Sequence, residues 1–296
     1  MHLAEKYKIN SANLELWAEL VFRSGTYLWE KEQFVLAKTF FEFGLRISSD
    51  IPGPIAAQAH RLLGHVYLDL AQPRAALDAY KKTLDLRENL DGPDSPPVAD
   101  VCDSVACAYT EAGDVDQAFT YLDRATIIHN ANDPRKITRT LAIRFMTCLH
   151  ARQGDDALSA IRECWRLQNK TQTEIETSTY PKHSGDIMFL SRIFWAQGKK
   201  SEAKELASRT ATMRRGTFGE NGGPRVADSL FTVARMLADG GELFLAAKLL
   251  RQIITMSGNA PGMRTHLARA FWFCANVEAE IGADEKAVSE LREQAD

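Results

Sequence analysis

The chain has no apolar run approaching the roughly 18 residues that a membrane helix needs. Its first thirty residues place Glu5, Glu15 and Glu19 where a signal peptide would carry an unbroken apolar core. A cytoplasmic protein is the expectation. CxxC spacing is missing too. The five cysteines, Cys102, Cys107, Cys148, Cys164 and Cys274, are odd in number and lie inside helical patterns, so reduced, buried thiols are expected. That excludes a disulfide framework and gives no support to redox chemistry. No basic block stands out. Net charge is −3 with acids and bases interleaved, whereas tight nucleic-acid binding needs a clustered basic face, so neither nucleic acid nor membrane is expected as a partner.

Catalytic spacing is equally scarce. None of His2, His60, His65, His129, His150, His183 and His266 forms the i, i+4 pair of an HExxH zinc site, and no metal or cofactor is expected. There is no GxSxG nucleophile elbow. Gly198-Lys199-Lys200-Ser201 resembles the end of a phosphate loop but lacks the upstream glycine and the preceding strand. Gly216, Gly219, Gly222 and Gly223 read as a long connection between helices rather than a nucleotide cradle.

What the sequence does contain is a repeat. Hydrophobic residues make up 45% and charged residues 25%, enough for a packed core. Pro97-Val98-Ala99-Asp100 and Arg225-Val226-Ala227-Asp228 start two stretches that align without a gap at an offset of 128. In that alignment Ala106 falls on Ala234, Gly113 on Gly241, Ala118 on Ala246 and Leu122 on Leu250. Within each unit an amphipathic pattern of period 3.6 ends at a turn, and an alanine opens a second such pattern. Those alanines are Ala37, Ala76, Ala118, Ala157, Ala203, Ala246 and Ala287. Glycine precedes its alanine by five at Gly113, Gly198, Gly241 and Gly282, and by three at Gly154. The first two units carry Lys31-Glu32-Gln33 and Gln72-Pro73-Arg74 instead. Strand patterns are absent. Clusters at Asp50 to Pro54, Asp91 to Pro97, Gly216 to Pro224 and Asn259 to Gly262 read as turns between pairs.

Gly64-His65-Val66-Tyr67, Ala76 and Tyr80 resemble a tetratricopeptide repeat. The run from Ala79 to Glu88, followed by Gly92, Pro97, Val98 and Ala99, is similar to the longer repeats of kinesin light chain. Trp17-Ala18-Glu19-Leu20 through Tyr27-Leu28-Trp29-Glu30 is similar to the start of the repeat arrays in fungal nucleotide-binding immune-type receptors, whose nucleotide-binding module lies upstream of the array. The expected reading is therefore an array detached from a larger receptor, a shortened piece, or a relative put to another use. The resemblance implies an all-α, right-handed superhelical solenoid of about seven helix-turn-helix pairs. It is expected as one domain over residues 1–296, with a lead-in at 1–16, the pairs at 17–292 and an end at 293–296.

In such arrays the first helix of each pair faces a concave groove. Carried over by register, the groove residues here are Arg23, Arg61, His65, Arg144, Phe189, Arg192, Trp195, Phe231, Arg235 and Trp272. Kinesin-light-chain-like repeats place adjacent asparagines there to hold a peptide backbone. Here Asp103-Ser104 and Phe231-Thr232 occupy those places, so that clamp does not transfer. Arginine offers bidentate donors to carboxylate or phosphate, and aromatics offer flat apolar contact. The expectation is a monomeric protein-interaction scaffold whose groove binds a peptide or protein segment, an acidic or phosphorylated one being the best match. Two other classes stay open. One is an enzyme with a pocket lined by Arg61, His65, Arg144, Arg192 and Trp195, with His65 as acid or base. The other is a homo-oligomeric adaptor. If Ala118 marks a close helix crossing, Ala118→Trp will destabilise the fold by about 1 to 3 kcal/mol or more through overpacking. Melting curves check this; a variant that melts like the parent contradicts the repeat register.

Overall fold

The structure is a computed structural model, and it describes residues 11–47, 53–219, 223–258 and 263–295. Fifteen α-helices and no strand occur among them. They are α1 (Ser11–Glu30), α2 (Phe34–Ile47), α3 (Pro54–Asp69), α4 (Pro73–Asp91), α5 (Pro96–Ala112), α6 (Val115–Asn132), α7 (Thr138–His150), α8 (Gly154–Leu167), α9 (Gln172–Thr177), α10 (Ser184–Ala196), α11 (Lys200–Phe218), α12 (Pro224–Asp239), α13 (Leu243–Ser257), α14 (Arg264–Ile281) and α15 (Glu285–Glu293). With α9 set aside, they form seven consecutive antiparallel pairs, as the repeat spacing predicts. None is long and apolar enough to cross a membrane. By their contacts the residues divide into two compact units, Met1–Gln168 and Asn169–Asp296. Four pairs lie in the first unit and α9 with three pairs in the second.

Every pair turns in the same way. The residue five positions before the seam alanine is left-handed in all seven: Glu32, Ala71, Gly113, Arg152, Gly198, Gly241 and Gly282, with φ from 53° to 85°. The next residue's N–H then donates back across the turn, from Gln33 to Leu28, Gln72 to Tyr67, Asp114 to Tyr109, Gln153 to Cys148, Lys199 to Phe194, Glu242 to Leu237 and Ala283 to Glu278, at 2.8 to 3.0 Å. This is the six-to-one bond of a Schellman motif, which satisfies a carbonyl the helix end would otherwise leave orphaned. Glycine takes the left-handed residue at four turns because it has no Cβ to clash there. Gly154, expected as the fourth turn glycine, instead opens α8, and Arg152 turns the chain.

The register drawn from the alanines follows. Ala37, Ala76, Ala118, Ala157, Ala203 and Ala246 are each fully buried. Ala287 is exposed, and its neighbour Val288 packs in its stead. The longest step, from Ala157 to Ala203, accommodates α9, which a capping box starts: Thr171 N–H donates to Glu174 Oε2 at 2.6 Å while Glu174 N–H donates to Thr171 Oγ1 at 3.2 Å. Further details differ from the sequence reading. Helix α1 starts at Ser11 rather than at 17. Gly216 is inside α11, and the connection begins at Gly219. Residues 50–52 of the expected turn at Asp50 to Pro54 and the whole expected turn at 259–262, together with 1–10, 48–49, 220–222 and 296, lie outside the described residues.

Apolar stripes close the core between pairs. In the first unit Ala18, Phe22, Phe34 and Phe41 of the opening pair pack with Ala59, Leu63 and Val66 of α3. Tyr80 and Leu84 of α4 pack with Val98, Cys102 and Val105 of α5. In the second, Val226, Leu230 and Ala234 meet Ala246, Leu250 and Cys274. All five cysteines are free thiols, and burial raises the pKa of Cys102 to about 12 and of Cys107 to about 11, so both stay protonated. Ala71 is exposed yet left-handed, which costs an L-residue about 1 to 2 kcal/mol. Ala71→Gly should raise stability by about 0.5 to 1 kcal/mol after the added freedom of the unfolded chain is counted. Denaturant unfolding tests it, and a loss of stability contradicts the turn geometry.

Candidate functional site

In the first unit the first helices of successive pairs, α1, α3, α5 and α7, touch one another in series and so share one face. The site on that face begins with a missing side chain. A Cβ on Gly64 of α3 would lie 2.3 Å from the ring of Tyr80, so only glycine lets that ring pass beneath α3. Tyr80 is fully buried, and its hydroxyl lies 2.6 Å from Nδ1 of His65, the residue after Gly64. Burial holds the phenol well above its ordinary pKa, so it keeps its proton. It donates that proton to Nδ1, which leaves the imidazole hydrogen on Nε2. The imidazole also stacks on Trp29 of α1, with centroids 5.6 Å apart and planes 17° apart. Trp29 Nε1 in turn donates to Asp69 of α3.

Two arginines meet one turn along. Arg61 Nε of α3 donates to Ser104 Oγ at 3.4 Å, and Arg139 of α7 donates to the same oxygen at 3.2 Å. Ser104 is buried on α5 between them and donates its own proton to the Asp100 carbonyl at 3.1 Å. Among the described residues neither guanidinium forms an ion pair with a carboxylate. Burial, then the like charge of Arg139, holds the Arg61 pKa below its usual range, and the negative charges of Asp100 and Asp103 only partly offset this. Burial, then Arg139 and Arg61, also brings the His65 pKa down to about 3. His65 is therefore a neutral N–H donor near pH 7, beside two cations that form no ion pair with a carboxylate among the described residues.

The other sequence-predicted positions are not gathered here. Arg23 is exposed and pairs with Glu19 one turn back at 2.6 Å. Arg144 turns to the second helix of the preceding pair, where it meets Asp123 at 2.5 Å and lies over Phe119. With both Phe119 and Cys148 it lines a separate cavity of about 480 Å³. In the second unit Phe189, Arg192 and Trp195 are half-buried on α10, with the Lys200 ammonium 5.3 Å from the Trp195 ring. Phe231 packs on Phe273 at 5.6 Å and takes the Arg269 guanidinium on its face at 4.1 Å. Arg269 also pairs with Asp228 at 2.5 Å, and His266 approaches the same carboxylate at 3.3 Å. Arg235 is exposed, and Trp272 is 59% exposed.

Arg139, Asp69 and Arg269 were missed by the sequence reading. Arg139 lies two turns before the buried Thr147 of α7, outside the single turn that the register inspects. Helices of successive pairs cross, so the early turns of α7 meet the middle of α5.

Residues 55–131 match the tetratricopeptide repeat family model. That segment spans α3 to α6 and contributes Arg61, His65, Tyr80 and Ser104 to the site. No curated protein matches the sequence. Among solved structures, the chain is similar to NprR in complex with its cognate peptide NprX, at 15% identity and a TM-score of 0.67, covering 93% of this chain and 77% of that one. It is also similar to the Rap conjugation gene regulator of the plasmid pLS20 in complex with the Phr* peptide, at 17% identity and a TM-score of 0.63, covering 96% and 74%. A kinesin light chain protein of nearly identical TPR-like repeats from Podosopora anserina matches at 19% identity and a TM-score of 0.44, covering 68% and 95%. At these identities the two higher-scoring likenesses establish a tetratricopeptide-like fold for this chain.

A neutral His65 buried beside two cations leaves a signature in acid. Its folded pKa lies below the ordinary 6.5, so the unfolded state binds the extra proton. The stability it supports is complete above about pH 6.5 and is lost as pH falls toward 3, by at most about 1.4 kcal/mol per unit. His65→Gln should flatten the decline in melting temperature between pH 7 and pH 4; an unchanged slope contradicts the assignment.

Proposed function

We propose that the chain is a peptide- or protein-binding scaffold. Its first-unit face takes an extended segment that places a carboxylate or phosphate between Arg61 and Arg139. The convergence of two guanidiniums on Ser104, without a carboxylate partner, carries this reading. An arginine whose charge its surroundings offset only in part gains from an incoming anion, and the planar donors suit carboxylate and phosphate alike. Trp29 offers an aromatic surface next to the cations, and His65 Nε2 adds one neutral donor. Peptides bound to two structures of similar fold support the same reading. The pocket-enzyme alternative is weaker on this geometry: Arg144 is engaged with Asp123, and a histidine with a pKa near 3 is a poor acid or base at neutral pH.

The test is fluorescence anisotropy with two labelled peptide pools of equal length and apolar content, one carrying Glu and phosphoserine, the other Gln and Ser. The acidic pool should bind the parent more tightly. The Arg61→Glu/Arg139→Glu variant should lose at least about tenfold, in keeping with about 1.5 to 3 kcal/mol for charged hydrogen bonds. Arg139→Glu alone, at an exposed position, should show a partial loss with an unchanged melting curve. Equal binding of both pools, or no effect of charge reversal, contradicts the proposal.

A further inference from the structure

Behind Ser104 the same helix pair gathers three metal-ligating side chains that the binding face does not use. Asp100 and Asp103 stand three residues apart in the first half of α5, so they share one side of that helix. His129 stands in the last turn of α6, which runs antiparallel to α5 and brings its end alongside. One ligand atom from each of the three lies within 4.8 Å of the other two. Asp103 is fully buried and His129 is 1% exposed, and neither is fully satisfied. Both ring nitrogens of His129 and Oδ1 of Asp103 have no hydrogen-bond partner within the protein. His129 Nε2 stops 3.9 Å from Asp103 Oδ2, too far for a hydrogen bond, while Thr140 Oγ1 donates to that oxygen at 3.1 Å. A buried imidazole without a partner costs free energy that a bound cation would recover.

The repeat supplies an independent comparison. At the offset of 128, Asp103 corresponds to Phe231 and His129 to Ser257, and that pair folds in the same way. Packing of the repeat therefore does not require a carboxylate and an imidazole at these two positions. We propose that Asp100, Asp103 and His129 form a binding site for a divalent transition ion of the zinc type. One imidazole and two carboxylates are the mixed nitrogen and oxygen set that zinc accepts, whereas calcium and magnesium favour oxygen alone. Two ligands about 2.1 Å from a zinc ion lie at most about 4.2 Å apart. The 3.9 Å pair meets that limit as it stands, and half-buried Asp100 closes the remainder by side-chain rotation. Thr140 holds Asp103 in place as an outer-shell donor. Three protein ligands leave a position for water.

The experiment is a Co²⁺ titration of the intact chain after EDTA treatment and removal of the chelator. One equivalent should produce visible ligand-field bands without a thiolate charge-transfer band, and Zn²⁺ should displace it. His129→Gln should weaken binding at least about 100-fold, and Zn²⁺ should raise the melting temperature of the parent but not of this variant. Asp100→Asn, at the half-buried rim, should fold as the parent does and bind at least about tenfold more weakly, so it decides the matter if His129→Gln does not fold. Three outcomes overturn the site: no spectrum at one equivalent, a thiolate band pointing to the cysteines, or unchanged affinity in Asp100→Asn.

Discussion

The close crossing of paired helices at a residue without bulk is the constraint on which the rest of the structure depends. Ala76 and Ala118 are fully buried where α4 and α6 meet their partners, and six of the seven seam alanines share that burial. Each crossing follows a left-handed residue and a Schellman bond, so the second helix always leaves the turn in the same direction. In the second pair the close approach brings the Tyr80 ring under Gly64, where any Cβ would collide with it. The phenol then fixes His65, and His65 gives Trp29 its stacking partner. Polar chemistry on the face is in this way a consequence of packing underneath it.

The same closeness raises the cost of charge. Arg61 is partly buried by its neighbours and shares Ser104 with another guanidinium, and burial, followed by that like charge, lowers its pKa. Salt bridges elsewhere show what compensation looks like: Arg124 reaches Glu88 at 2.6 Å, and Arg269 reaches Asp228 at 2.5 Å. A fold that needed only stability would gain from a similar carboxylate beside Arg61. Among the described residues no ion pair of that kind forms at Arg61, although Asp100 and Asp103 offset part of the cost of its burial.

Much of the architecture was legible because a repeat multiplies a weak local signal. The alanine spacing located seven helix pairs, and four glycines located four turns. The first two turns were placed at Lys31-Glu32-Gln33 and Gln72-Pro73-Arg74 by register alone, because Glu32 and Ala71 adopt a backbone conformation that their side chains do not advertise; in the fourth, Gly154 drew attention two residues past Arg152. The site was legible in part. Arg61 and His65 fall where the register puts groove residues, while Arg144 shares that register and turns away toward Asp123. Register fixes which side of a helix a Cβ leaves from, but a long side chain chooses among the partners within its reach. Arg139 and His129 escaped because their meaning comes from crossing angles and antiparallel pairing, which bring distant positions together without any fixed motif.

The measurement that bears most directly on the central claim is a selection of displayed random peptides on the intact chain, in parallel with an Arg61→Gln/Arg139→Gln variant that melts as the parent does. The account predicts that the parent enriches peptides with an acidic residue at a fixed distance from an apolar one, and that the variant loses the acidic preference. Enrichment without acidic residues, or the same sequences from both proteins, would contradict it.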